Sequence, residues 1–284
     1  MGSLVNLGDV SKPVNTLIEK LHEAGVGLFR PLQIERVAKA EAKAALIKAK
    51  SDIQINELQQ RVLYRLVEEE TNKQKNMEDI VKLAEPKVSE TADPGKMDND
   101  WIVNFFEKSR IISDADMQQL WAKILAGEAN NPGSFSRRTI NLLNDIDKED
   151  ASLFTKLLGC AWCVHEFTPL IFDFRDEIYT NQGIDFSQLN HLDTIGLISF
   201  SPMSGYVMQN VQGELNAEYF NDQLLLAVPE KFEKRPNGKN IKTGSVLLTN
   251  EGRQLAELCD RQPIDGFFDY VKDKWKDYVL YSEN

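Results

Sequence analysis

The chain is poor in the residues that build reactive centres. Its 284 residues include three cysteines and three histidines. An odd and small cysteine number implies no complete disulfide framework, and a reducing cytoplasm is the simplest setting. No apolar run approaches the roughly eighteen residues that a membrane-spanning helix needs. Met1–Val10 lacks the basic and long apolar stretches of a secretion signal. Positive charge is not in excess either. A net charge of −11 argues against a general nucleic-acid coat, although it leaves room for a local basic patch. There is no phosphate-cradling glycine loop, no nucleophile elbow and no His-Glu-x-x-His segment. The sequence therefore points away from an enzyme. It offers no catalytic residue, no cofactor signature and no metal set.

One absence is more informative than these. From Leu32 to Ala84 there is no glycine and no proline, and Ala, Glu, Lys, Gln, Ile and Leu dominate. That composition favours helix. A helix of about fifty residues would reach on the order of 75 Å. Such a rod exceeds what a body of this size can bury, so part of it is expected to meet another chain. Ile34, Val37, Ala38, Ala45, Ala49, Leu58, Val62 and Leu66 form its wandering apolar stripe and are the candidate self-association residues. Lys and Arg number 11 from Leu32 to Glu90, against 11 Asp and Glu, a balance that suits a solvated rod with charge pairs rather than a basic arm. An irregular coiled coil or bundle is the preferred reading. The alternative is a break near Ser51-Asp52 that folds the helix back on itself.

A short amphipathic helix at Val14–Ala24 precedes the rod, with Val14, Leu17, Ile18 and Leu21 on one face. It reads as packed on its own protein or a partner. Peripheral membrane contact through Val14–Phe29 is the weaker reading. Glu85-Pro86 ends the rod, because proline cannot continue it. After a linker, Asp98 or Asp100 caps a helix carrying Trp101, Ile102, Phe105 and Phe106. Met117, Leu120, Trp121, Ile124 and Leu125 lie at helical spacing in the next, which Gly127 closes. Ser136 caps a third, and Asp147 or Lys148 opens a fourth, read through to Val164.

The last third changes character. Phe186–Leu197 reads as a helix. Leu224–Val228 and Ser245–Leu248 read as strands of a hairpin with Asn237-Gly238 at its turn. A leucine-rich helix ending in Gly-Leu-Ile, a hairpin, then Leu-Thr-x-x-Gly-x-x-Leu resembles winged-helix domains. A C-terminal amphipathic helix follows, carrying Ile264, Phe267, Phe268, Val271, Trp275 and Val279. The fold expected is mainly α: a long N-terminal helix, a helical core and a small C-terminal winged-helix-like α+β module. The expected domains are 1–90, 91–168 and 169–284.

Three stretches carry a family resemblance: Leu28–Ala42, Met117–Asn130 (with Leu-Trp-Ala-Lys-Ile-Leu-Ala inside it) and Leu247–Leu255. Together they resemble a family of bacterial proteins known only as a domain of unknown function. The chain is more distantly similar to the abortive-infection alpha proteins, which are linked to phage defence. The resemblance implies antiviral defence as a setting and brings no catalytic residues.

Two constellations remain. Cys160-Ala-Trp-Cys163-Val-His165 offers two thiolates and an imidazole to a metal. Leu157, Leu158, Trp162 and Val164 place it on an apolar helix, however, and Cys259 and His191 are single, so structural burial is the expectation. Lys231, Lys234, Arg235, Lys239 and Lys242 form a basic loop facing only Glu230 and Glu233. It is a candidate contact for phosphate backbone or for a protein partner. The helix Phe186–Leu197 has no Lys or Arg, which weakens base reading. The function expected is a non-enzymatic cytoplasmic scaffold or effector that forms a homo-oligomer through the long helix, with another protein partner also open. The alternative is a nucleic-acid-binding regulator that uses the basic wing.

Overall fold

A computed structural model of the chain describes residues 11–26, 57–209, 211, 213–228 and 240–283. The chain divides between Asn144 and Asp145 into two compact units.

The first unit is helical. Helix α1 (Lys12–Glu23) buries Val14, Leu17 and Leu21, and it packs on the turn Pro94–Lys96. Helix α2 (Glu57–Ala84) is followed by a single turn at Glu85–Lys87, where Pro86 stops the α-helical ladder. Helix α3 (Asn99–Ser109) starts at Asp98, whose carboxylate accepts the Trp101 N–H at 2.8 Å. Helix α4 (Ala115–Asn130) starts at Asp114, which accepts the N–H groups of Asp116 and Met117. These side chains satisfy amide groups that the first turn of a helix leaves without partners. An aromatic cluster centres the unit. Phe105 stacks on Trp101 at 5.2 Å and meets Trp121 edge-on at 5.1 Å.

Gly127 does not close α4, which runs three residues further. An ideal Cβ at Gly127 would lie 2.7 Å from the Phe135 ring, so the glycine serves close packing instead. That ring belongs to the loop leading into α5 (Arg137–Asp145), whose first turn is capped by Ser136 Oγ, the acceptor for Thr139 N–H at 3.1 Å.

The second unit begins with α6 (Lys148–Leu158), opened by a reciprocal cap between Asp147 and Asp150. The helix stops at Gly159 instead of continuing to Val164. A Cβ there would meet the Gln262 carbonyl at 2.9 Å, so the passing chain requires a glycine. Next come β1 (Ala161–Cys163), β2 (Phe167–Pro169), α7 (Glu177–Thr180) and α8 (Phe186–Thr194). They are followed by β3 (Ile198–Phe200), β4 (Tyr206–Met208), β5 (Glu214–Tyr219) and β6 (Asp222–Ala227). The unit ends with β7 (Ile241–Gly244), β8 (Val246–Leu248), α9 (Asn250–Ala256), α10 (Phe267–Lys274) and β9 (Val279–Glu283). The main sheet is antiparallel, in the order β2-β1-β5-β6-β9. Strand β3 pairs with β8, and β4 with β7. Trp162 anchors the core, stacked on Tyr219 at 5.2 Å and on Phe268 at 5.6 Å.

The expected fold class is overturned. The chain is a mixed α+β protein rather than mainly α, because the second unit is built on a five-stranded antiparallel sheet. The described N-terminal rod is the 28 residues of α2, and residues 32–56 lie outside the described residues. The winged-helix-like hairpin expected from sequence does not form between its two strands, and its expected turn, Asn237-Gly238, lies outside the described residues. Leu224–Ala227 belongs to β6, which sits between β5 and β9 and does not pair with β8. The reason is visible in β5, where Leu215, Ala217 and Tyr219 are buried while Glu214, Asn216 and Glu218 are exposed. That period-two pattern makes β5 the natural neighbour for β6, which places Leu225 against Asn216 and Leu224 against Ala217. The C-terminal amphipathic helix is shorter than expected, ending at Lys274, and Val279 opens a strand.

Candidate functional site

Helix α2 has two unlike halves. Towards its C-terminus Ile80, Val81 and Ala84 are buried, and the helix packs on α4. Asn76 Nδ2 donates to the Arg110 carbonyl at 2.9 Å, and Gln118 Nε2 donates to the Ile112 carbonyl at 2.8 Å beside it. Towards its N-terminus nothing comparable among the described residues covers the helix. Leu58, Val62 and Leu66 are 62%, 48% and 52% exposed. Successive residues four apart advance only about 40° around a helix, so these three form one stripe. Arg65 and Glu69 pair across one turn at 3.3 Å, and Lys73 pairs with Glu70 at 2.6 Å. The Lys73 ammonium holds the Glu70 carboxyl below its ordinary value. Such exposed pairs contribute little to stability, and they make the helix surface charged where the stripe ends. A contiguous apolar stripe with a polar rim is the surface signature of a protein contact.

Of the expected self-association residues, Leu58, Val62 and Leu66 therefore lie on this face. Ile34, Val37, Ala38, Ala45 and Ala49 lie outside the described residues. So do Lys231, Lys234, Arg235 and Lys239 of the basic loop. Lys242 is described: it is exposed on β7, opposite Val207 of β4, and its carbonyl accepts the Trp275 indole N–H at 2.8 Å. The apolar face of α1 that a membrane would need is buried within the first unit. No helix among the described residues is long and apolar enough to cross a membrane.

The cysteine segment lies on and beside a strand, not on a helix. Cys160 is buried, and burial pushes its thiol far above the ordinary range. Cys163 is half-buried on β1 and His165 is exposed in the β1–β2 loop. Among the described residues no group of three or more His, Cys, Asp or Glu side chains could hold a metal ion. His191 instead meets Asp150 at 2.6 Å and ties α8 to α6. In the first unit, Glu128 is buried and accepts the N–H groups of Gly133 at 2.7 Å and Phe135 at 3.0 Å. Desolvation raises its pKa against the pull of those backbone donors.

No sequence signal marked the cation that stands out in the second unit. The Arg261 guanidinium lies 4.5 Å from the centre of the Phe167 ring and 4.3 Å from that of Phe220. Its Nη1 donates to the Ala161 carbonyl at 2.8 Å. The stretch Cys259–Gly266 that carries it reads as an ordinary polar loop, and only the tertiary fold brings it beside β1 and the β5–β6 turn.

A family model described as a protein of unknown function, DUF2806, matches residues 60–272. No curated protein and no solved structure matches the chain.

Proposed function

The chain belongs to the DUF2806 family, and from that premise we propose that it is a non-enzymatic, self-associating scaffold or effector of bacterial phage defence. The observation that carries the self-association is the exposed stripe Leu58, Val62 and Leu66 on the uncovered half of α2. A second copy of the chain is the partner that this reading assigns to it. The defence setting rests on the resemblance of the chain to the abortive-infection alpha proteins. The cytoplasm is the compartment in which such an effector would meet phage.

The test is the solution mass of the full chain by light scattering, beside a variant with Leu58→Glu, Val62→Glu and Leu66→Glu. Substitution is preferred to truncation, because removing α2 would strip Ile80, Val81 and Ala84 from the core of the first unit. The reading expects an oligomer that becomes a folded monomer on substitution. A monomeric wild-type chain at micromolar concentration would remove it. For the defence setting, the efficiency of phage plating on cells with and without the protein is the measurement, and equal plating across a phage panel counts against it.

A further inference from the structure

Arg261 is held by two aromatic rings and one carbonyl rather than by an acid. It is half-buried, and burial disfavours its charge, yet among the described residues no carboxylate pairs with it. The nearby carboxylate of Glu166 is paired with another cation, Arg253. Buried cations are ordinarily paired, because an unpaired one is costly to desolvate. The guanidinium carbon lies over both the Phe167 and the Phe220 ring. One Nη1 hydrogen goes to Ala161. A planar guanidinium carries further N–H donors in its plane, and such a fork can take a carboxylate or a phosphate in two parallel hydrogen bonds.

The backbone supplies a second, independent observation. Phe220 has φ +53° and is the only described non-glycine residue at positive φ. It sits in the two-residue turn joining β5 to β6, where Asn-Gly or glycine is the usual occupant. Holding a bulky aromatic residue in the left-handed region costs energy that persists only where the surroundings demand it. The tight turn calls for positive φ at this position, and with it the Phe220 ring lies at Arg261, edge-on to Tyr219 at 4.9 Å. Tyr219 is itself fixed, since it donates to the Gly159 carbonyl at 2.9 Å and accepts the Ile264 N–H at 2.7 Å.

We infer that Arg261, framed by Phe167 and Phe220, is a binding site for the oxyanion of a ligand, a carboxylate or a phosphate, with the two rings excluding water from the ion pair. Such a site would let a small anionic ligand bear on the second unit. It does not depend on the self-association assigned to α2.

The test is a titration of the full-length protein with sodium phosphate and, separately, sodium acetate at constant ionic strength, with sodium chloride as control. The readout is the NMR signal of the Arg261 Nε–H group, assigned by comparison with Arg261→Lys. A saturating shift with phosphate or acetate, absent with chloride, is expected, together with at least tenfold weaker binding in Arg261→Gln. Saturation by phosphate alone would identify a phosphoryl group as the ligand chemistry, saturation by acetate alone a carboxylate, and saturation by both a site for either oxyanion. No saturating shift with either anion, or the same shift with chloride, would overturn the site. So would unchanged affinity in a folded Arg261→Gln protein. If that variant does not fold, the wild-type signal decides the matter, with Phe220→Gly as a second variant that keeps the cation and removes one ring; it should weaken binding severalfold.

Discussion

The two halves of α2 are made of similar material and have opposite fates. Leu58, Val62 and Leu66 are as apolar as Ile80, Val81 and Leu83, and both sets recur at helical spacing among Glu, Lys and Arg. One set is exposed and the other largely buried. The difference lies in what each half meets. The C-terminal half faces α4, with Asn76 reaching the Arg110 carbonyl. The comparison teaches that helical periodicity identifies a face that can be buried, whereas the rest of the chain decides whether it is.

The sharpest way to break the comparison is to place the same charge in both halves. Ile80→Asp should cost about 4 kcal/mol or more in urea denaturation, because an unpaired carboxylate would be buried in the core. Leu58→Asp should stay within about 0.5 kcal/mol when measured at concentrations below those of self-association, as exposed positions do. Equal losses would show that the N-terminal half is covered in solution. The next test concerns α4, the platform on which the buried half rests. Gly127→Ala should cost about 1–3 kcal/mol by pressing its new methyl group into the Phe135 ring, and thermal unfolding would register it. A milder effect, about 1 kcal/mol, is expected for Asp98→Ala, which removes the acceptor for Trp101 N–H at the start of α3. Circular dichroism melts of the two proteins would show whether this cap matters.

The smallest effect is a pH dependence. Glu128 on α4 has its pKa raised above 4.5, chiefly by burial. The folded protein thus holds that proton more tightly than the unfolded chain does. The associated stability is fully present below pH 4.5 and is lost as pH rises through the raised value. Urea midpoints measured in steps from pH 4 upwards should show this component in the wild type and lack it in Glu128→Gln. A variant with the same slope would assign the dependence to other carboxylates.

How far the fold could be read from sequence follows from the range of the interactions involved. Asp98 and Ser136 act within one helical turn, and both cap the helices that their sequence positions announce. The aromatic anchors Trp101, Phe105 and Trp121 are likewise core residues. Reading failed where a distant segment intervened. Gly159 must be glycine because the Gln262 carbonyl passes beside it, and Gly127, inside α4 rather than at its end, because the Phe135 ring does. The segment Ala161–Cys163 looked helical as a continuation of an apolar helix and became a strand because β2 and β5 lie beside it. Glu214–Tyr219 alternates cleanly, but its Glu and Asn content hid a strand whose other face is solvated. Of the candidate contacts, the Leu58, Val62 and Leu66 stripe was legible because it is a property of one helix. The Arg261 site was not, because its parts come from the β1–β2 region, the β5–β6 turn and the loop before α10.

By itself the sequence determined the local elements of the first unit, since caps, proline stops and apolar spacing act over a few residues. It also determined the charge balance along α2 and the paucity of ligating residues. Only the tertiary structure decided that the second unit is a sheet rather than a winged helix. Strand pairing selects among partners far apart in the chain, and the alternation of β5 has meaning only once β6 and β1 lie on either side of it. The same holds for α2: its sequence provides an apolar stripe along the helix, and the packing of α4 decides which end of that stripe is buried.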